Sequence, residues 1–103
     1  MIVARWQIDA RFGHKQTVID MLRGWAKDIA PQIGWTPEKG RLLTGSIGAR
    51  EATVVNEWTI ADLADLEKSW SALGKIDAHK KWSKDMEPYV VSGSARWEIY
   101  RVL

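Results

Sequence analysis

The sequence predicts an α+β fold in which a four-stranded antiparallel sheet carries two helices on one of its faces. Three observations lead to this prediction. Apolar and polar residues alternate near both ends of the chain, two stretches have helical periodicity, and a pair of strand-like segments lies between them. A chain of 103 residues has the length of one domain, so a single domain is predicted over residues 1–103.

The first strand and the first helix are predicted within residues 2–29. Ile2 to Asp9 alternates with a period of two, which is typical of a strand that buries one face. From His14 to Ile29, apolar residues recur at the spacing of an amphipathic helix. Pro31 disfavours helical geometry at the preceding residue, so the helix is predicted to end near Ala30.

The middle of the chain is predicted to form a pair of strands. Arg41 to Ile47 and Glu51 to Trp58 are strand-like, and Gly48 can supply the positive φ that a turn between them often requires. Gly45 and Ser46 lie within the first of these strands and weaken it. That composition favours a position at the edge of the sheet.

The second helix is predicted from Ile60 to Leu73. Thr59 to Asp62 resembles a capping box with aspartate in place of glutamate, and Gly74 is predicted to close the helix from the C′ position. The apolar residues at helical spacing predict the buried stripe of this helix. They are Leu63, Leu66, Trp70 and Leu73.

The rest of the chain is predicted to hold a short helix within residues 75–87 and a last strand from Ser94 to Val102. With right-handed crossovers on both sides of the strand pair, this order gives a ferredoxin-like βαββαβ sandwich. Apolar residues of the first and last strands are then predicted to meet the two main helices. The residues are Trp6, Ile8, Trp97 and Ile99 on the strands, and Leu22, Trp25, Leu66 and Trp70 on the helices.

The other face of the predicted sheet mixes charges with valines and a tyrosine. If the first and third strands are neighbours, Arg5 is placed to pair with Glu57. Such a face is expected to be covered, and a second copy of the chain is the predicted cover, so that two sheets close a shared barrel. The face consists of Val3, Arg5, Gln7, Val55, Glu57, Arg96, Glu98, Tyr100 and Val102.

Composition excludes several classes of protein and site. Cysteine is absent, which excludes disulfides, thiolate nucleophiles and sulfur-rich metal sites. A net charge of +2 does not favour nucleic acid. No apolar stretch approaches the ~20 residues of a membrane span, and no signal peptide is evident, so a cytoplasmic location is expected. Seven tryptophans against one phenylalanine indicate either a pocket or interface lined with indoles, or a core that happens to use this residue.

Four short segments spread over the chain share the pattern of one superfamily. They are Phe12-Gly13-His14-Lys15, Leu42 to Gly48, Trp58-Thr59 before a leucine-rich helix, and Trp97-Glu98-Ile99-Tyr100. In these segments the chain resembles the dimeric α/β-barrel superfamily, which includes antibiotic-biosynthesis-type monooxygenases and NIPSNAP-like proteins. The resemblance implies a ferredoxin-like fold and a homodimer. It transfers function poorly, because one fold hosts many chemistries.

One branch of this superfamily degrades heme. The resemblance implies that Gln7, Trp70 and His79 occupy the comparable positions, and a neutral His79 imidazole is able to ligate iron. In the alternative interpretation, His79 is a solvated histidine in a lysine-rich segment and Trp70 belongs to the core. The alternative is favoured, and no cofactor is predicted.

Two further classes of protein are compatible with parts of the sequence. A cofactor-independent oxygenase needs a dry pocket with positioning groups, which the charged residues of the second sheet face can supply; alternatively, they form ion pairs between strands. RNA-recognition domains have a similar order of strands and helices. They require aromatic residues on the third strand, where this chain has valines and a glutamate, so RNA binding is the weakest alternative.

The predicted function is the binding of a small apolar or aromatic molecule in a pocket between the sheet and the second helix. The binding protein is expected to be a homodimer without a nucleic-acid or membrane partner, and no reaction is assignable. A small monooxygenase is the alternative. The candidate pocket residues are Arg5, Gln7, Glu57, Trp70, His79, Arg96, Glu98 and Tyr100.

Overall fold

The computed structural model describes residues 1–103 as one sheet backed by helices. The elements are β1 (Ile2–Asp9), α1 (Lys15–Asp28), β2 (Gly40–Thr44), β3 (Thr53–Ile60), α2 (Leu63–Leu73), α3 (Asp77–Met86) and β4 (Arg96–Arg101). The sheet is antiparallel in the order β2-β3-β1-β4. The predicted α+β ferredoxin-like fold, the edge position of β2 and the short helix α3 are therefore confirmed. None of the helices has the length and apolar character that crossing a membrane requires.

The register places one row of residues across the helix-covered face. Trp6 on β1 lies opposite Asn56 on β3 and Trp97 on β4, and Asn56 in turn lies opposite Leu42 on β2. Side chains alternate along a strand, so directly opposed residues share a face. This row therefore points its side chains toward the helices, and we call it the indole row.

The neighbouring row crosses the opposite, open face of the sheet. Arg5 lies opposite Glu57 and Glu98, and Glu57 lies opposite Arg41 on the edge strand. The signs of charge alternate along it in the order Glu98, Arg5, Glu57 and Arg41. We call it the charged row.

Tryptophans form the centre of the core between the sheet and the helices. The rings of Trp25, Trp35 and Trp58 lie with centroids 5.3 to 6.0 Å apart, and Trp58 is only 2% exposed. Gly40 lies opposite Trp58 on the edge strand. A Cβ atom at Gly40 would lie 2.6 Å from the Trp58 ring, so the missing side chain makes room for the indole.

The ends of α2 differ from the prediction. Thr59 and Ile60 pair with β1 and extend β3, and the helix cap is Asp62, whose Oδ1 accepts a hydrogen bond of 2.8 Å from the Asp65 N–H. The predicted capping box at Thr59 is wrong because sheet pairing takes up these residues. The role predicted for Gly74 is also wrong, since it is the C-cap with a right-handed φ of −62°.

The buried face of α2 is rotated from the predicted stripe. Leu66 and Leu73 are buried as expected, whereas Leu63 is exposed and Trp70 is 38% exposed. Ser69 turns inward instead, where its Oγ accepts a hydrogen bond of 3.1 Å from Trp35 Nε1. A contact with the loop before β2 thus fixes the rotation of the helix.

The last strand is less covered than predicted. Trp97 is 36% exposed and Ile99 is 37% exposed, although both lie on the helix-covered face. β4 is an edge strand, and the helices cover it only in part. Trp97 and Ile99 lie on the predicted face but are only partly buried, so their predicted placement in the core is wrong. Trp97 lines a cavity.

Candidate functional site

A cavity of about 190 Å³ lies between the indole row and the helices α2 and α3. No carboxylate, lysine or arginine lines it. An apolar cavity of ~150 Å³ holds benzene, and sites for drug-sized ligands begin near ~300 Å³. This cavity therefore has the size for a molecule of one or two rings. Its lining residues are Trp6, Trp25, Asn56, Trp70, Leu73, His79, Trp82, Ser83 and Trp97.

The walls of the cavity follow from helical spacing. Trp70 and Leu73 lie three residues apart on one face of α2, and His79, Trp82 and Ser83 occupy one face of α3 in the same way. The Trp70 ring lies 5.3 Å from that of Trp97 on β4. Trp82 Nε1 donates a hydrogen bond of 2.8 Å to the Met21 carbonyl oxygen, which fastens α3 to α1.

His79 is held as a neutral hydrogen-bond donor. Trp25 Nε1 donates a hydrogen bond of 2.9 Å to His79 Nδ1, and the imidazole stacks on Trp82 at 5.9 Å. A neutral imidazole has one acceptor nitrogen and one N–H, so acceptance at Nδ1 leaves the proton on Nε2. Burial lowers the pKa of His79. The Trp25 N–H acts in the same direction on this pKa, because a proton on Nδ1 would place two N–H groups against each other.

Asn56 is the second polar group whose orientation is fixed. It is 5% exposed, and its Oδ1 accepts a hydrogen bond of 2.8 Å from Trp58 Nε1. This bond turns the Nδ2 amide group away from Trp58, and no protein acceptor contacts Nδ2. Asn56 also borders a separate cleft of about 370 Å³ beside Gly40 and Arg41. The amide hydrogens of Asn56 are therefore available to a ligand.

The residues of the cavity do not fit a heme. An iron ligand needs a nitrogen with a free lone pair, but His79 Nδ1 accepts the bond from Trp25 and Nε2 carries the proton. A volume of about 190 Å³ is also far too small for a macrocycle of four pyrrole rings. Gln7, the third position that the superfamily resemblance implied, lies on the opposite face of the sheet.

The open face of the sheet holds a network of polar side chains. Arg5 Nε lies 3.4 Å from Glu57 Oε1, which confirms the predicted ion pair, and Arg41 Nε lies 2.5 Å from Glu57 Oε2. Gln7 donates a hydrogen bond to Glu98, and the Arg5 guanidinium lies over the Tyr100 ring at 5.7 Å. The Arg5 Nε atom is buried without a hydrogen-bond partner. These groups mostly satisfy one another across neighbouring strands.

The structure divides the eight predicted pocket residues between the two faces. Trp70 and His79 line the indole cavity. The six others lie on the open face: Arg5, Gln7, Glu57, Arg96, Glu98 and Tyr100. No single pocket brings the eight together.

Sequence reasoning missed most of the cavity lining, above all Asn56. A signal for it was present, because Asn56 shares strand parity with Val54 and Trp58 and is the one amide on the covered side of that strand. Trp25, Trp82 and the other tryptophans of the lining lie on separate elements, so no local sequence pattern indicates that they line one cavity.

Comparison with solved structures places the fold among known ones. The chain superposes on a NIPSNAP family protein from Agrobacterium tumefaciens with a TM-score of 0.80 at 19% identity, covering 99% of this chain and 92% of the other. An uncharacterised NIPSNAP-like domain protein from Burkholderia xenovorans matches with a TM-score of 0.72 at 22% identity, over 99% and 84% of the two chains. An antibiotic biosynthesis monooxygenase matches with a TM-score of 0.70 at 10% identity, over 100% and 99%.

These likenesses confirm the predicted ferredoxin-like fold, which the NIPSNAP family and antibiotic biosynthesis monooxygenase structures share. No family model matches the sequence, and no curated protein matches it either. Identities of this size carry the fold and leave the chemistry to the site.

Proposed function

We propose that this protein binds a small aromatic molecule in the indole-lined cavity. The observation that carries the proposal is the lining itself, in which five of the seven tryptophans surround about 190 Å³ together with two oriented polar groups. Indole faces and edges interact favourably with flat rings. The absence of charged side chains from the lining favours an apolar body over an ionic one.

Calorimetric titration with one- and two-ring aromatic compounds tests the proposal. Trp70 forms one wall and is already 38% exposed, so Trp70→Ala removes a stacking surface with little loss of core. The expected result is an affinity about 3- to 10-fold weaker, the range of one aromatic contact. The matched control is Phe12→Ala, which removes a fully exposed aromatic ring away from the cavity. Equal affinities in both variants would contradict binding in this cavity.

The proposed role is binding without turnover. Antibiotic biosynthesis monooxygenases share this fold, and a cofactor-independent oxygenation needs a base that removes a proton from the substrate. The only acceptor nitrogen of His79 is occupied by the Trp25 N–H, so this residue offers the cavity a donor and no base. Oxygen consumption with electron-rich phenols is expected to stay at the level of buffer. Oxygen consumption that depends on the phenol would contradict the binding role and indicate a small oxygenase.

A homodimer formed through the open face is the second part of the proposal. Tyr100 and Val102 are about half exposed there, and the buried Arg5 Nε makes no hydrogen bond, although it lies 3.4 Å from Glu57 Oε1. The charged row alternates in sign, so an identical row turned end for end by a two-fold axis opposes every charge with its opposite. Self-complementarity of this kind supports a second copy as the cover.

Native mass spectrometry and sedimentation velocity test the dimer. Tyr100→Glu places a charge on the open face and is expected to give monomers. Leu63→Glu makes the same kind of change at an exposed position on α2 and is expected to leave the dimer intact. A wild-type protein that stays monomeric at high concentration would overturn this part and leave ligand binding untouched.

A further inference from the structure

The polar groups of the cavity define the class of its ligand. We infer that the cavity takes an uncharged aromatic molecule that accepts hydrogen bonds and donates none, such as an aryl ketone or a quinone. The inference rests on the proposed binding function and adds to it the direction of the hydrogen bonds.

Two tryptophans from the core fix that direction. The Trp25 N–H occupies the one acceptor nitrogen of His79, and the Trp58 N–H takes one of the two lone pairs of Asn56 Oδ1. These two hydrogen bonds orient residues from different elements, α3 and β3. The N–H groups of both side chains are left without a protein partner and are available to a ligand.

The remaining polar atoms of the lining have the same bias. The indole N–H groups of Trp6, Trp70 and Trp97 have no protein acceptor, and an indole N–H can only donate. The acceptors left in the side chains of the lining are the Ser83 hydroxyl and the second lone pair of Asn56 Oδ1. An amine or amide N–H on a ligand would lose its water partners and find almost no acceptor in exchange.

The lining also favours a neutral ligand over an anion. A phenolate or carboxylate would lose its hydration on entering, and no arginine or lysine lines the cavity to compensate. His79 is held neutral and contributes a dipole in place of a charge. A carbonyl oxygen keeps the acceptor function without the cost of burying a charge.

Titration of the full chain with three matched two-ring compounds tests the inference. 1-Tetralone carries one carbonyl acceptor, tetralin carries no polar group, and 1-naphthylamine carries an N–H donor. The ketone is expected to bind about tenfold more tightly than tetralin, the size of one hydrogen bond, and the amine is expected to bind more weakly than the ketone. Equal binding of all three would overturn the inference and preserve the aromatic binding function. Binding of none would overturn both.

A variant that keeps the indole bond shows where the preference originates. His79→Met retains a weak thioether acceptor for Trp25 and removes the Nε2–H without adding another donor. It is expected to weaken the binding of 1-tetralone about tenfold and to leave the binding of tetralin unchanged.

The control for this variant is His14→Met, the same substitution at the exposed histidine before α1. It is expected to change neither affinity. If His79→Met weakens the binding of 1-tetralone and of tetralin in parallel, His79 shapes the cavity without donating to the carbonyl, and the inference fails. Thermal unfolding of each variant establishes that the fold is retained.

Discussion

Trp6 and Arg5 are neighbours on β1, but their side chains lie on opposite faces of the sheet in opposite surroundings. Trp6 belongs to the indole row beneath the helices, and Arg5 belongs to the charged row that no helix covers. Polar groups occur on both faces. On the covered face, indole N–H groups of the core satisfy the acceptor atoms of His79 and Asn56. On the open face, polar side chains satisfy one another.

The difference shows how the surroundings set what a polar group can do. Beneath the helices, His79 Nδ1 and Asn56 Oδ1 each accept one hydrogen bond from an indole N–H, which fixes the orientation of both side chains. On the open face, Glu57 contacts both Arg5 and Arg41, and these ion pairs are partly exposed to solvent. Each charged group there therefore has more than one possible hydrogen-bond partner. The covered face suits recognition of a ligand, and the open face suits association with another surface.

Truncation of a large aromatic residue gives the largest expected contrast between the faces. Trp58→Ala removes a side chain that is 2% exposed and is expected to lower the free energy of unfolding by about 3–5 kcal/mol. Tyr100→Ala removes a half-exposed ring from the open face and is expected to lower it by about 1 kcal/mol or less in the monomer. Urea denaturation of both variants measures the contrast. Equal losses would mean that the open face is part of the core.

The charged row provides the next contrast. Glu57 is 14% exposed and contacts two arginines, so Glu57→Ala leaves Arg5 partly buried without its partner. The expected loss is about 1.5–3 kcal/mol. Glu51→Ala breaks the exposed ion pair with Lys15 and is expected to lose about 0–1 kcal/mol. If both variants lose equally little in denaturant melts, water screens the charged row completely.

The fit of Trp58 over the edge strand is tested by two glycine substitutions. Gly40→Ala places a Cβ atom 2.6 Å from the buried indole and is expected to destabilise the protein by about 1–3 kcal/mol. At Gly24 on α1 no atom lies within 4 Å of the added Cβ. Gly24→Ala is therefore expected to stabilise the protein, by up to about 1 kcal/mol, through helix propensity. If Gly40→Ala and Gly24→Ala change the melting temperature in the same direction, this explanation of Gly40 is contradicted.

The pH dependence carried by His79 is the smallest expected effect. Its pKa in the folded protein lies below the ordinary value of 6.5, so the unfolded chain binds the proton more readily. This contribution to stability is constant above about pH 6.5 and is lost as the pH falls through the folded pKa. His79→Asn is expected to flatten the stability curve below about pH 6.5 relative to wild type. Superimposable curves would show that His79 does not titrate differently in the two states.

Periodicity predicted the fold because it depends on local alternation and on short connections. The strand at Ile2–Asp9 and the Arg5–Glu57 pair follow from it. The edge position of β2 was predicted from the composition of Arg41 to Ile47 and is confirmed, although the strand ends at Thr44, before Gly45 and Ser46. The start of α2 does not follow from periodicity, because Thr59 and Ile60 suit a helix cap as well as they suit a strand. Pairing with β1 decided between the two.

The candidate site was the less predictable part. Trp70 and His79 belong to it, but the charged residues predicted beside them lie across the sheet, since strand parity sends Gln7 and Trp6 to opposite faces. Which polar atoms are free depends on bonds between distant residues. The bond from Trp25 to His79 joins positions 54 apart in the chain.

The sequence by itself determined the alternation of the strands, the amphipathic helices, the lack of cysteine chemistry and the supply of seven indoles. Only the tertiary structure decided that five of those indoles line one cavity, that α2 turns Ser69 inward, and that indole N–H groups bind the acceptor atoms of His79 and Asn56. The physical reason is that periodicity fixes the faces within one element. The rotation and register between elements follow from contacts that no local pattern records.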